Sequence, residues 1–303
     1  TKMRALTTRS TFFLRRTILH GHDAPLLRRF RQGLATSAGA TSFGVAMRWA
    51  VGGWSFFIAE NVLLSENRAP VIEALGDEDR YRLLYGTMST AACVSIAAGF
   101  RRIHGAPPLQ WPVHASPPAG RLVACFVLQA LGFAGLAQSL PKLQLPFAPT
   151  LLPPADAVGS DDGQLAPIPA AWSVRCPFDF SKSEGLHGIQ RVSRHASLWS
   201  FAAICCGAAV VTPSLPQAVC LAMPVAVALI GGAHQDSRQR RGVGGALPAD
   251  LELATSHVPG LAILSGAQGN VASALRALGD ETKWMNAALG AALAIISVLR
   301  HVR

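Results

Sequence analysis

Residues 197–233 read SLWSFAAICCGAAVVTPSLPQAVCLAMPVAVALIGGA, and no Lys, Arg, Asp, Glu or His interrupts them. A helix crossing a bilayer needs about 20 mostly apolar residues, because lipid offers backbone and side-chain polar groups no partner. Leu215-Pro216 divides the stretch, so it reads as two spans, 197–214 and 216–233. They form a tight helical hairpin or a single re-entrant unit. Outward from it, the same hydropathy reading finds spans at 43–64, 83–100, 121–140 and 284–299. Several are short and rich in Ala and Gly, residues that let helix backbones approach closely. The expected fold class is all-α, a polytopic transmembrane helical bundle of about six spans.

Composition agrees with that class. Of 303 residues, 50% are hydrophobic and only 15% charged, and the mean hydropathy is +0.32. A soluble domain carries roughly 25% charge. The net charge is +10, but residues 1–40 hold eight basic residues against the single acid Asp23, which accounts for +7 of it. The remainder is nearly neutral, so no nucleic-acid-binding surface is expected.

That basic leader decides the expected compartment. Thr11-Phe12-Phe13-Leu14-Arg15-Arg16-Thr17-Ile18-Leu19 would separate apolar and cationic side chains on two helix faces, as a mitochondrial targeting segment does. Arg15-Arg16 breaks the only apolar core that a secretory signal could use. The expectation is a presequence at 1–40, cleaved within Arg29 to Ser37, and a multi-pass protein of the mitochondrial inner membrane. A plastid membrane is the alternative.

The membrane domain then runs over 41–303. Its main irregular segment is a Pro-rich loop at 141–187, with Pro141, Pro146, Pro149, Pro153, Pro154, Pro167, Pro169 and Pro177. Loops this long are usually functional or unstructured. One that wraps a neighbouring subunit would have this composition, and so would a solvated tether.

Side-chain chemistry is sparse. Cys93, Cys125, Cys205, Cys206 and Cys220 lie in apolar runs, and no CxxC or Cys/His ligand spacing occurs, so no metal site is expected. No phosphate loop, nucleophile elbow or carboxylate pair appears, and no catalytic residue is assigned. Arg48 and Glu60 are unusual within a span; twelve residues apart, they stand about 18 Å from each other along a helix and cannot pair. Arg48 is expected to snorkel, and Glu60 to reach the opposite interface beside Asn61. Arg191, Arg194 and His195 read as interfacial anchors, Asp236 and Arg238 as an ion pair, and His257 with Pro259 as an interfacial segment.

Four stretches carry more than hydropathy. Gly188-Ile189-Gln190-Arg191-Val192-Ser193-Arg194-His195 precedes the first half of the apolar hairpin, and His234-Gln235-Asp236-Ser237-Arg238 follows its second half. Asp79-Arg80-Tyr81-Arg82-Leu83-Leu84-Tyr85 opens the second span, and Ser256-His257-Val258-Pro259-Gly260-Leu261-Ala262-Ile263-Leu264-Ser265-Gly266-Ala267-Gln268 follows the hairpin. In this order they resemble the NnrU family and its zeta-carotene isomerase branch, over most of 55–300 outside the loop. The resemblance implies a membrane haem b protein whose iron is held by histidines and assists a cis-to-trans isomerisation. It makes Arg191, Arg194, His195, Asp236 and Arg238 the candidate cofactor contacts. Glu60 stands where the family's early helix carries a histidine, and Ala228-Leu229 where its later histidine pair falls.

Without those histidines the expected function is a non-catalytic accessory or scaffold subunit of a mitochondrial inner-membrane complex, of the respiratory chain or ATP synthase. No cofactor is expected. Other membrane subunits and lipids such as cardiolipin are the expected partners. The alternative is a haem-dependent membrane isomerase or redox enzyme.

Overall fold

The computed structural model describes residues 42–112, 116–143, 147–150, 171–174, 178–179 and 185–302. The presequence expected at 1–40 and its cleavage region lie outside them.

Helix α1 (Phe43–Glu66) leads through a short α2 (Arg68–Leu75) into α3 (Glu78–Arg102). Gly76, at φ 91°, closes α2 in the left-handed conformation, which costs only glycine nothing. Asp77 then caps α3 by accepting the Arg80 backbone N–H at 2.7 Å. Glu78 and Asp79 in the first turn and Arg101 and Arg102 in the last complement the helix dipole. Next come α4 (Ala119–Gln138), strands β1 (Lys142–Leu143), β2 (Phe147–Thr150), β3 (Ala171–Val174) and β4 (Phe178–Asp179), and a 3-10 turn at Gly188–Arg191. The apolar hairpin follows as α5 (Ala196–Val211), α6 (Leu215–Ala222) and α7 (Pro224–Arg240). Short helices α8 (Ala249–Ala254) and α9 (Leu261–Leu264) precede α10 (Val271–Glu281) and the final α11 (Trp284–Val302).

The chain is an all-α polytopic membrane protein. Among the described residues, four segments are long and apolar enough to cross: α3, α4, the combined α6–α7 run Leu215–Arg240, and α11. The spans expected at 43–64 and 197–214 coincide with α1 and α5, but neither meets the same measure. At 16 residues, α5 spans about 24 Å, short of a hydrocarbon core near 30 Å. In α1, Arg48 and Glu60 dilute the apolar run.

Helices α4 and α5 pack together, α11 lies against α4, α1 against α3, and α1 also against α6 and α7. Glycines bring these backbones into contact. A Cβ on Gly53 would lie 2.6 Å from Ile96 N, one on Gly132 2.6 Å from Ser200 O, and one on Gly290 2.5 Å from Ala134 N. In lipid, where apolar burial drives little, such close backbone packing supplies much of the association between helices. Leu83, Val94, Val123 and Leu131 remain exposed on the outside.

Among its described residues, the expected irregular loop forms short strands. β1 pairs antiparallel with β4 and β2 with β3, and both ladders keep one register: Lys142 faces Asp179, and five residues on, Phe147 faces Val174. Both strands of a two-stranded ribbon are edges, which is why Pro149 is tolerated opposite Trp172. Asn286, fully buried, fixes the base. Its amide donates to Ala137 O at 2.9 Å and Pro141 O at 3.0 Å, and its oxygen accepts Leu143 N–H at 2.8 Å.

Candidate functional site

The stretches that stood apart in sequence meet in space. The 188–195 segment lies antiparallel to the 256–260 segment: Arg194 N–H donates to Ser256 O at 3.1 Å and Gly260 N–H to Val192 O at 2.7 Å. Gln268 closes the far side, donating through Nε2 to Arg191 O at 2.8 Å.

At the centre, His195, which caps the start of α5, and Asp236, in α7, are both buried. His195 Nε2 lies 2.7 Å from Asp236 Oδ1, and Arg194 Nη1 reaches Asp236 Oδ2 at 3.3 Å. The second guanidinium nitrogen of Arg194 donates to Thr255 O at 2.6 Å and Glu252 O at 3.1 Å. The carboxylate is therefore engaged on both oxygens. The ion pair expected between Asp236 and Arg238 does not form. Two residues apart on a helix, their side chains point to opposite sides, and Asp236 faces inward to α5 instead.

His257 completes the cluster. Its backbone oxygen accepts from Ser193 Oγ at 2.8 Å and from Trp199 Nε1 at 2.9 Å. Its ring meets that of His195 edge-on, with centroids 5.4 Å apart. Both ring nitrogens are buried without a hydrogen-bond partner of ordinary geometry, although the Leu229 backbone lies near enough to favour the protonated ring. Burial pushes this imidazole below its ordinary pKa, and His195 beside it adds to the shift. Gly232 makes the room: a Cβ there would lie 2.6 Å from His257 Nδ1 and 3.0 Å from His195 Cδ2.

Two of the five sequence candidates lie elsewhere. Arg191 grips Glu281 at the end of α10, with Nε 2.8 Å from Oε2 and Nη2 2.6 Å from Oε1, while Gly188 N–H donates to Oε2 at 2.6 Å. Arg191 holds the Glu281 carboxyl below the usual carboxylate range. Arg238 instead lines a cavity of about 280 Å³ with Phe57, Asn61, Tyr85, Leu198 and His234. Its Nε is buried without a partner. Sequence reasoning missed His257 as a member of the cluster. The signal available was its place in the Ser256–Gln268 stretch, one of those that carry the family resemblance.

Glu60 is buried within the protein, beside Asn61 as expected. Its Oε1 accepts from Ser89 Oγ at 2.9 Å and from Asn61 Nδ2 at 2.6 Å. Tyr85 donates in turn to Asn61 Oδ1. Ala228, at the other position singled out, is fully buried in α7, while Leu229 is exposed. Ser65 Oγ and His234 Nε2 lie 2.8 Å apart.

Compared with known proteins, residues 50–302 match the family model described as NnrU protein. No curated protein matches the chain, and no solved structure does.

Proposed function

Because the chain belongs to the NnrU family, we propose a function for its membrane domain within that family: a non-catalytic accessory subunit of a large mitochondrial inner-membrane complex. The complex is of the respiratory-chain or ATP-synthase kind. One observation carries the reading. Glu60 is buried and held by Ser89 and Asn61, where the family resemblance implies an axial histidine. A haem iron takes imidazole, thiolate or thioether, and neither Glu60 nor Ala228 offers one. The two histidines that do meet, His195 and His257, do not suit a porphyrin. Gly232 packs directly against both rings, so no macrocycle reaches them from that side.

The compartment rests on the acid-poor arginine run of residues 1–40, a plastid membrane being the alternative. Exposed apolar faces on α3, α4 and α11 suit both acyl chains and neighbouring subunits. Arg238, which lines a cavity with Phe57 and Leu198, suits an anionic lipid headgroup of the cardiolipin type.

Blue-native electrophoresis of mildly solubilised mitochondria tests the proposal. The expected result is migration with a complex many times the chain's own mass. A free species near that mass overturns the scaffold reading and favours a free-standing enzyme.

A further inference from the structure

We propose that His195, Asp236 and His257 form a binding site for a single divalent transition-metal ion of the zinc type. The three offer two imidazole nitrogens and one carboxylate oxygen, and their ligand atoms all lie within 4.8 Å of one another. Two imidazoles with one carboxylate is a ligand set that zinc accepts, usually with a further ligand completing a tetrahedron. Ligands about 2.0–2.1 Å from a tetrahedral ion stand about 3.3 Å apart. The set therefore closes by at most about 1.5 Å on any side to grip one ion, a movement within reach of side-chain rotation.

His257 points to a ligand most directly. A buried imidazole with neither nitrogen in a well-formed hydrogen bond has given up water and received little in return. A metal ion takes the lone pair of one nitrogen and offsets that loss. The surroundings resemble a supporting shell rather than a solvated surface. Arg194 holds the second Asp236 oxygen at 3.3 Å and so orients the first toward His195. Ser193 and Trp199 both fix the backbone oxygen of His257. Such outer contacts set ligand direction in metal sites.

The same packing that turns away a macrocycle admits a bare ion. Gly232 confines both rings from one side, so only something of atomic size fits among the three ligand atoms. No thiol belongs to the set, which argues against copper(I) or an iron–sulfur cluster. The Asp236–His195 contact at 2.7 Å is then the hydrogen bond that the ion replaces: the Nε2 proton leaves, and nitrogen and oxygen both turn to the metal.

Cobalt(II) gives the test. The purified full chain in detergent, stripped with chelator, is titrated with Co²⁺ and then Zn²⁺. The expected result is one Co²⁺ per chain with the intense visible d–d bands of a four-coordinate N/O site, bleached by equimolar Zn²⁺. Asp236→Asn also breaks the bond to Arg194, so a loss of binding there could reflect misfolding. His257→Gln is the deciding variant, because the native ring nitrogens have no well-formed hydrogen bond to lose. It should elute as the wild type does and lose Co²⁺ affinity by at least ~10-fold. Absent d–d bands in the wild type, or equal binding by a well-folded His257→Gln chain, overturn the proposal. Neither outcome bears on whether the chain migrates with a large complex.

Discussion

Arg191 and Glu281 form a two-pronged ion pair that ties the 3-10 turn before α5 to the end of α10, 90 residues further along the chain. Both side chains are less than one-fifth exposed, and Gly188 adds a third donor. Charge-assisted, bidentate contacts in such surroundings contribute more than surface pairs do.

The pair makes stability depend on acid. Glu281 titrates below its ordinary value of 4.5 in the folded chain, so the unfolded chain takes the proton first as pH falls. The stabilisation is complete above the ordinary range and is lost as pH drops from there through the folded value. Thermal unfolding in detergent between pH 7 and pH 3 should show this decline, and Glu281→Gln should flatten it. At pH 7 that variant should lose about 1–3 kcal/mol. A wild-type profile no steeper than the variant's refutes the assignment.

Gly132 offers a packing test. A methyl there meets Ser200 O and Ile204 N, both backbone atoms that cannot rotate away, so Gly132→Ala should cost about 1–3 kcal/mol by overpacking. Gly86, also mid-helix, has nothing within 4 Å, and Gly86→Ala should leave the melting temperature unchanged or slightly higher. Equal effects at the two positions would contradict the glycine-mediated contact between α4 and α5.

Absorbance addresses the competing enzyme. The purified chain should show no Soret band of b-type character, since Glu60 and Ala228 replace the imidazoles that the family resemblance implies. A stoichiometric haem band that disappears in His195→Ala would revive an isomerase or redox role.

Processing addresses the compartment. N-terminal sequencing of the mature protein from mitochondria should begin between Arg29 and Thr41, where the arginine run ends. Recovery of an unprocessed chain, or a fluorescent fusion found in plastids, would remove the mitochondrial assignment.

Much of the bundle was legible from hydropathy alone, because an apolar run such as 197–233 has few other ways to fold. Its internal geometry was less so. The hairpin joint falls at Thr212–Ser214 and α7 restarts at Pro224, where proline lacks the N–H to continue the ladder. Hydropathy has no term for either. The candidate site divided along similar lines. Arg194, His195 and Asp236 stood out by motif, but Asp236 and His257 lie 41 and 62 residues beyond His195, and metal-ligand spacing rules look only at near neighbours. The burial of Glu60 was not legible because its partner Ser89, and Tyr85 which holds Asn61, sit on another helix, and nothing local in the sequence marks them.

Asn286 has a consequence for cutting the chain. Its side chain stitches α4, β1 and α11 together, and a second ladder pairs Phe147–Thr150 with Ala171–Val174. A protease that nicks the backbone between Thr150 and Ala171 severs the polypeptide without removing any of these contacts. The two fragments should therefore stay together in mild detergent and separate only on a denaturing gel, so that the chain behaves as a noncovalent dimer of its own halves.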